Sequence, residues 1–120
     1  MATLAVIRKD ALELLGRANP YDTVDSTLDT DIGDAYTQLW NELETRQLAF
    51  WGLTEDVPDR FVRMVKYLLA YFYGGEVAVS DTRWQRIVIV TGQDGEKGFK
   101  TIRQMGAGTN TNPIIAGQFY

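Results

Sequence analysis

Residues 57–76, VPDRFVRMVKYLLAYFYGGE, constrain the fold of this chain more than any other stretch. Phe61, Val65, Leu68, Leu69 and Phe72 recur at steps of three and four, which lines one face of an α-helix with large apolar side chains. Pro58 suits the first helical position, where its missing N–H costs nothing and its φ is already helical. Asp59 then sits at the positive end of the helix dipole, and Gly74-Gly75 supplies a stop. A stripe of that size has to be covered by other elements.

Two further helices carry matching stripes. Residues 3–16 place Leu4, Ile7, Ala11, Leu14 and Leu15 on one face, with Thr3 as N-cap and Gly16 as terminator. After a polar loop over 17–30, a longer helix is expected from about Asp31 to Phe50. Ile32, Tyr36, Leu39, Leu43 and Phe50 form its inner face, and Asp31 or Asp34 suits its N-terminal dipole.

Residues 81–105, DTRWQRIVIVTGQDGEKGFKTIRQM, send two signals. Trp84, Val88, Thr91, Gly95, Phe99 (or Gly98), Ile102 and Met105 fall at helical steps and favour one long helix with a close-packing glycine seam. The β-branched run RIVIV and the segment GFKTI, joined by GQDGEK, fit a hairpin by propensity, and that alternative stays open. Three glycines inside a helix would cost about 0.5–1 kcal/mol each relative to alanine.

The expected fold is therefore mainly α: a small bundle of about four helices. It divides into a helical domain over 1–105 and an extended C-terminal arm over 106–120. That arm has no charged residue, yet it holds Ile114, Ile115, Phe119 and Tyr120. Burying the four apolar groups would contribute roughly 6–12 kcal/mol, against about 15–30 kcal/mol for ordering fifteen residues. Such an arm becomes favourable when its backbone also pairs with a partner, or when many copies act together.

Composition narrows the chemistry. With no cysteine and no histidine in 120 residues, thiol chemistry, disulfides and the commonest zinc ligand and general base are absent. The run DTVDSTLDTDIGD resembles a calcium loop only until Gly33, Asp34 and Trp40 stand where a ligand, a glycine and a glutamate are needed. Gly92, Gly95, Lys97 and Gly98 fail the P-loop pattern, because Lys97 is followed by glycine. No paired carboxylates sit in an apolar setting suited to acid catalysis, so the chain reads as no enzyme and as needing no cofactor. The charges near the N-terminus follow the apolar run, the wrong order for a signal peptide, and no stretch is long enough to span a membrane.

Charge is unevenly placed. Seven acidic and no basic residues lie between Ala18 and Thr45; between Arg83 and Arg103, five bases stand against two acids. A chain with an acidic and a basic face can join copies of itself head to tail, and such a contact closes into a ring when the rotation allows. Asp29, Asp31 and Asp34 on one side, with Arg83, Arg86, Lys97, Lys100 and Arg103 on the other, are the candidate inter-subunit residues.

The order of parts resembles the head-to-tail adaptor (connector, or head-completion) proteins of tailed bacteriophages, of the short-tailed type. DALELLG at 10–16 is similar to the first helix of that family and AYTQLWNELETRQLAFWGL at 35–53 to its second. VPDRFVRMVKYLLAYFYGGE is the closest match, while IVIVTGQDGEKG departs from the alanine- and leucine-rich last helix. The resemblance implies a virion protein of the neck, assembled in the host cytoplasm, with about twelve copies forming a ring. The implied partners are the portal protein, neighbouring copies, a downstream tail component and DNA in passage, with no membrane. It implies portal contacts by Pro113, Ile114, Ile115, Phe119 and Tyr120. A small nucleic-acid-binding DNA-packaging subunit is the alternative, and would rely on the basic run at 83–103.

Overall fold

The structure, a computed structural model, describes residues 2–19, 21, 23–75 and 77–109. Five helices follow in order: α1 (Leu4–Leu14), α2 (Ser26–Thr45), α3 (Asp59–Gly74), α4 (Asp81–Thr91) and α5 (Glu96–Thr109). The chain is thus mainly α, with five helices among the described residues where about four were expected. Among the described residues there is no strand, so the hairpin alternative for 81–105 is overturned. An isolated antiparallel bridge does tie Ala2 to Val57, through reciprocal N–H to carbonyl bonds of 3.0 and 3.1 Å.

α3 is the axis of the bundle, and α1, α2, α4 and α5 all pack on it. Its stripe is buried as the periodicity predicts at Phe61, Val65, Leu68 and Leu69, joined by Met64, Ala70 and Tyr73, while Phe72 is half-buried. Fully burying a Leu or Phe side chain contributes about 1.5–3 kcal/mol, so this one helix organises much of the core. α1 packs on α2, and α4 on α5. Two arginines complete the circuit. Arg83 of α4 donates to the Glu13 carbonyl of α1 (3.0 Å), and Arg46 after α2 grips Glu96 of α5 (2.7 and 2.8 Å). Around α3 the order is therefore α1, α2, α5, α4, with α1–α2 and α4–α5 packed together and α2–α5 and α1–α4 joined by the arginine bonds.

Helix ends differ from expectation in instructive ways. Thr3 caps α1 as expected, accepting from the Val6 N–H at 3.3 Å. α2 begins at Ser26 rather than Asp31, because the Asp25 carboxylate accepts from the Thr27 and Leu28 N–H groups (2.9 and 3.2 Å). It ends at Thr45 rather than Phe50. Gln47 takes a left-handed φ of 62°, and the Leu48 N–H closes back on the Leu43 carbonyl at 2.7 Å. Gly16 ends α1 by the same geometry, with φ 76° and Arg17 N–H bonded to the Leu12 carbonyl at 2.8 Å.

The expected single helix over 81–105 is two helices. Gly92 (φ 84°, ψ 159°) and Gly95 (φ 81°) take conformations that side-chain-bearing residues rarely adopt, and they turn the chain between α4 and α5. The Tyr71 hydroxyl donates to the Gln93 carbonyl at 2.9 Å and anchors that turn to α3. Of the three glycines expected inside that helix, only Gly98 lies within one, where a Cβ would sit 2.7 Å from Leu68 Cδ2. α5 then continues four residues past Met105 to Thr109, and Gly106 is buried against the Phe50 ring. The boundary expected at Met105 thus falls within a helix.

Candidate interaction surfaces

The ring order of helices decides where charge is displayed. α2 contains five acidic residues and no basic one, and its outward stripe runs Thr30, Asp34, Thr37, Asn41, Thr45, with Asp31 alongside. Thr30, Thr37 and Thr45 each donate their hydroxyl to the carbonyl four residues back, at 2.9–3.2 Å. Each hydroxyl is thereby turned onto its own helix backbone. Asp31 and Asp34 are exposed and form no ion pair with the described residues. Asp29 differs: it is half-buried and accepts from Arg8 at 2.9 Å, which ties α2 to α1.

The basic residues separate into two surfaces. On α4, Arg83 is spent within the protomer, on the Glu13 carbonyl and over Gly16. Arg86 is exposed and without an ion pair among the described residues. It borders a shallow cavity of about 290 Å³, whose other walls are Asp10, Glu13, Leu14, Lys66, Arg83 and Ile87. Beside it stands Ile89, 68% exposed. On α5, Lys97 donates to the Ile89 carbonyl at 2.9 Å, while Lys100 and Arg103 are exposed next to Arg46 and Phe99.

Arg46 is the most heavily engaged cation. It bonds Glu42 at 2.7 Å, holds Glu96 through two nitrogens, and lies 4.1 Å from the centre of the Phe99 ring. The bonds it donates to Glu96, then to Glu42, raise the guanidinium pKa further. In return Arg46 holds the Glu96 carboxyl below its ordinary value, chiefly by those hydrogen bonds. This clamp joins α2 to α5 and is structural in character.

Aromatic groups fix the inner end of the α2–α3 loop. Trp51 donates to the Tyr36 hydroxyl and Trp40 to the Trp51 carbonyl, each at 3.0 Å. Burial pushes the Tyr36 phenol above its ordinary pKa, the bond from Trp51 acting the other way. Phe50, expected on the inner stripe of α2, instead follows the helix, stacks on Phe61 at 5.3 Å and is 48% exposed.

Sequence reasoning missed the Ile89 exposure and the Arg46 clamp. The first had a signal, because RIVIV holds more apolar residues than one face of a short helix can bury. The second had none, since Arg46 and Glu96 lie fifty residues apart. Pro113, Ile114, Ile115, Phe119 and Tyr120 lie outside the described residues. Among the described residues no three acidic, histidine or cysteine side chains converge as for a metal, and no helix is long and apolar enough to cross a membrane. The class these features define is a five-helix bundle with unlike charge on separate faces. No known protein family, curated protein or solved structure matches the chain.

Proposed function

We propose that the chain is a structural virion protein, a head-to-tail adaptor of tailed bacteriophages that forms a ring of about twelve copies beneath the portal. The ring joins head to tail in the neck of the virion, extends the DNA channel and presents its far side to a tail component. One observation carries this reading. Residues 57–76, the stretch most similar to the adaptor helices, supply the helix on which all the others pack. The net charge of −4 is consistent with it, since a conduit must pass phosphates without holding them.

In this reading Pro113, Ile114, Ile115, Phe119 and Tyr120 contact the portal. Co-sedimentation with portal rings of the same virus tests it, using the full chain and a chain ending at Thr109. The cut falls there because α5 includes Gly106 and its contact with Phe50. The full chain should travel with the portal in about twelvefold stoichiometry, and the shortened chain should stay behind with its helicity intact. Equal binding by both forms would remove the arm from the account. Absence of portal binding, together with DNA affinity falling steeply as salt rises, would replace the adaptor with a small DNA-packaging subunit.

A further inference from the structure

We infer that copies of this chain join through the outer face of α2 on one copy and the outer face of α4 on the next. The first face is centred on Asp34 and Thr37, the second on Arg86 and Ile89. The inference rests on the ring reading above and narrows its inter-subunit set.

The two faces fit in chemistry. α4 offers an exposed isoleucine beside an arginine that has no ion pair among the described residues. α2 offers two carboxylates equally without ion pairs, beside threonines whose hydroxyls are already donated to their own backbone. An apolar contact flanked by complementary charge is the usual anatomy of a protein interface, with the charges setting register more than affinity.

They fit in position as well. α1 and α5 separate α2 from α4 around α3, so the two outer faces look away from each other. A contact from one side of a protomer to the far side of the next continues forward with little turn per copy, which suits a ring of many members. The outer face of α5 fits less well on both counts. It is the neighbour of α2, clamped to it by Arg46, so joining those two faces would turn the assembly sharply. Lys97 is spent on the Ile89 carbonyl, Arg103 lies near Glu96, and the exposed residues of α5 between Glu96 and Gln104 include no apolar anchor.

The absence of cysteine makes the test clean. A Thr37→Cys chain is mixed with an Ile89→Cys chain and oxidised, alone and on portal rings, so that rings assembling only on the portal are also captured. Thr37→Cys mixed with Lys100→Cys is the control; all three positions are exposed or outward-facing, and circular dichroism checks that each variant keeps its helicity. The account predicts mixed disulfide dimers from the α2–α4 pair several times more abundant than from the control. Asp34→Arg should abolish that excess, and Arg86→Asp in the partner chain should restore it. An excess no greater than the control overturns the inference. If the α2–α5 pair cross-links better, the ring survives with a different contact. Portal co-sedimentation of the uncrosslinked protein reports separately on the adaptor reading.

Discussion

The bundle has two halves around α3 that reach the same secondary structure by different means. α1 and α2 carry ordinary apolar stripes, so Ile7, Ala11, Leu12, Ile32, Leu39 and Leu43 are buried by helical period alone. α4 and α5 read ambiguously. α4 is β-branched over Ile87–Val90 and buries only Ile87 and Thr91, while α5 relies on Gly98 and Gly106 to lie close to Leu68 and Phe50. Local preference decides the first half, whereas the second is decided by what α3 presents to it. There Trp84 stacks on Tyr71 at 5.6 Å, and Tyr71 also holds the glycine turn.

The largest effect should come from the shared axis. Leu69 is fully buried on α3, and Leu69→Ala should cost about 2–5 kcal/mol in chemical denaturation. Hydrogen exchange should show both halves losing protection together; loss confined to α1 and α2 would mean that the halves fold independently. Gly98→Leu should cost about 1–3 kcal/mol by overpacking against Leu68, and should loosen α5 before α2. Equal loosening throughout would erase the distinction drawn between the halves.

Acid separates the halves more gently. The depressed Glu96 pKa means its contribution is whole above the unfolded-state carboxylate range and is lost as the pH falls below about 4.5 through the folded value. Thermal melts should therefore show Glu96→Gln less stable near neutral pH, with a shallower loss on acidification. A parallel pH profile would show that the Arg46 clamp does not hold α2 to α5. The smallest effect belongs to Gln47. Its left-handed φ matches that of Gly16 at the equivalent place in α1, so Gln47→Gly should stabilise by about 0.5–1 kcal/mol, as relief of strain exceeds the added chain entropy. A loss of stability would mean that the Gln47 side chain contributes a contact of its own.

These contrasts explain what was legible in the sequence. Pro58, Gly74 and the stripe between them located α3 because three independent signals agreed, although Pro58 stands at the N-cap rather than at the first helical position expected of it. Thr3 and Gly16 did the same for α1. α2 was misplaced at both ends, because its first turn is built from Ser, Thr and Asp, which resemble a loop until Asp25 caps it. Its terminator is a glutamine rather than the glycine that sequence reasoning looks for. Gly95 fell in step with the helical period, with Gly92 beside it, so a turn was read as a seam. Among the surface residues, charge alone could not distinguish Arg83 and Lys97, which are occupied within the protomer, from Arg86.

The central claim is that α3 organises a protomer whose α2 and α4 sides meet in a ring beneath a portal. A cryo-electron microscopy reconstruction of the chain bound to portal rings tests it most directly. The account predicts a closed ring with Asp34 and Thr37 of each copy against Arg86 and Ile89 of the next, and residues beyond Thr109 in contact with the portal. Separate protomers on the portal, or a ring joined through α5, would contradict it.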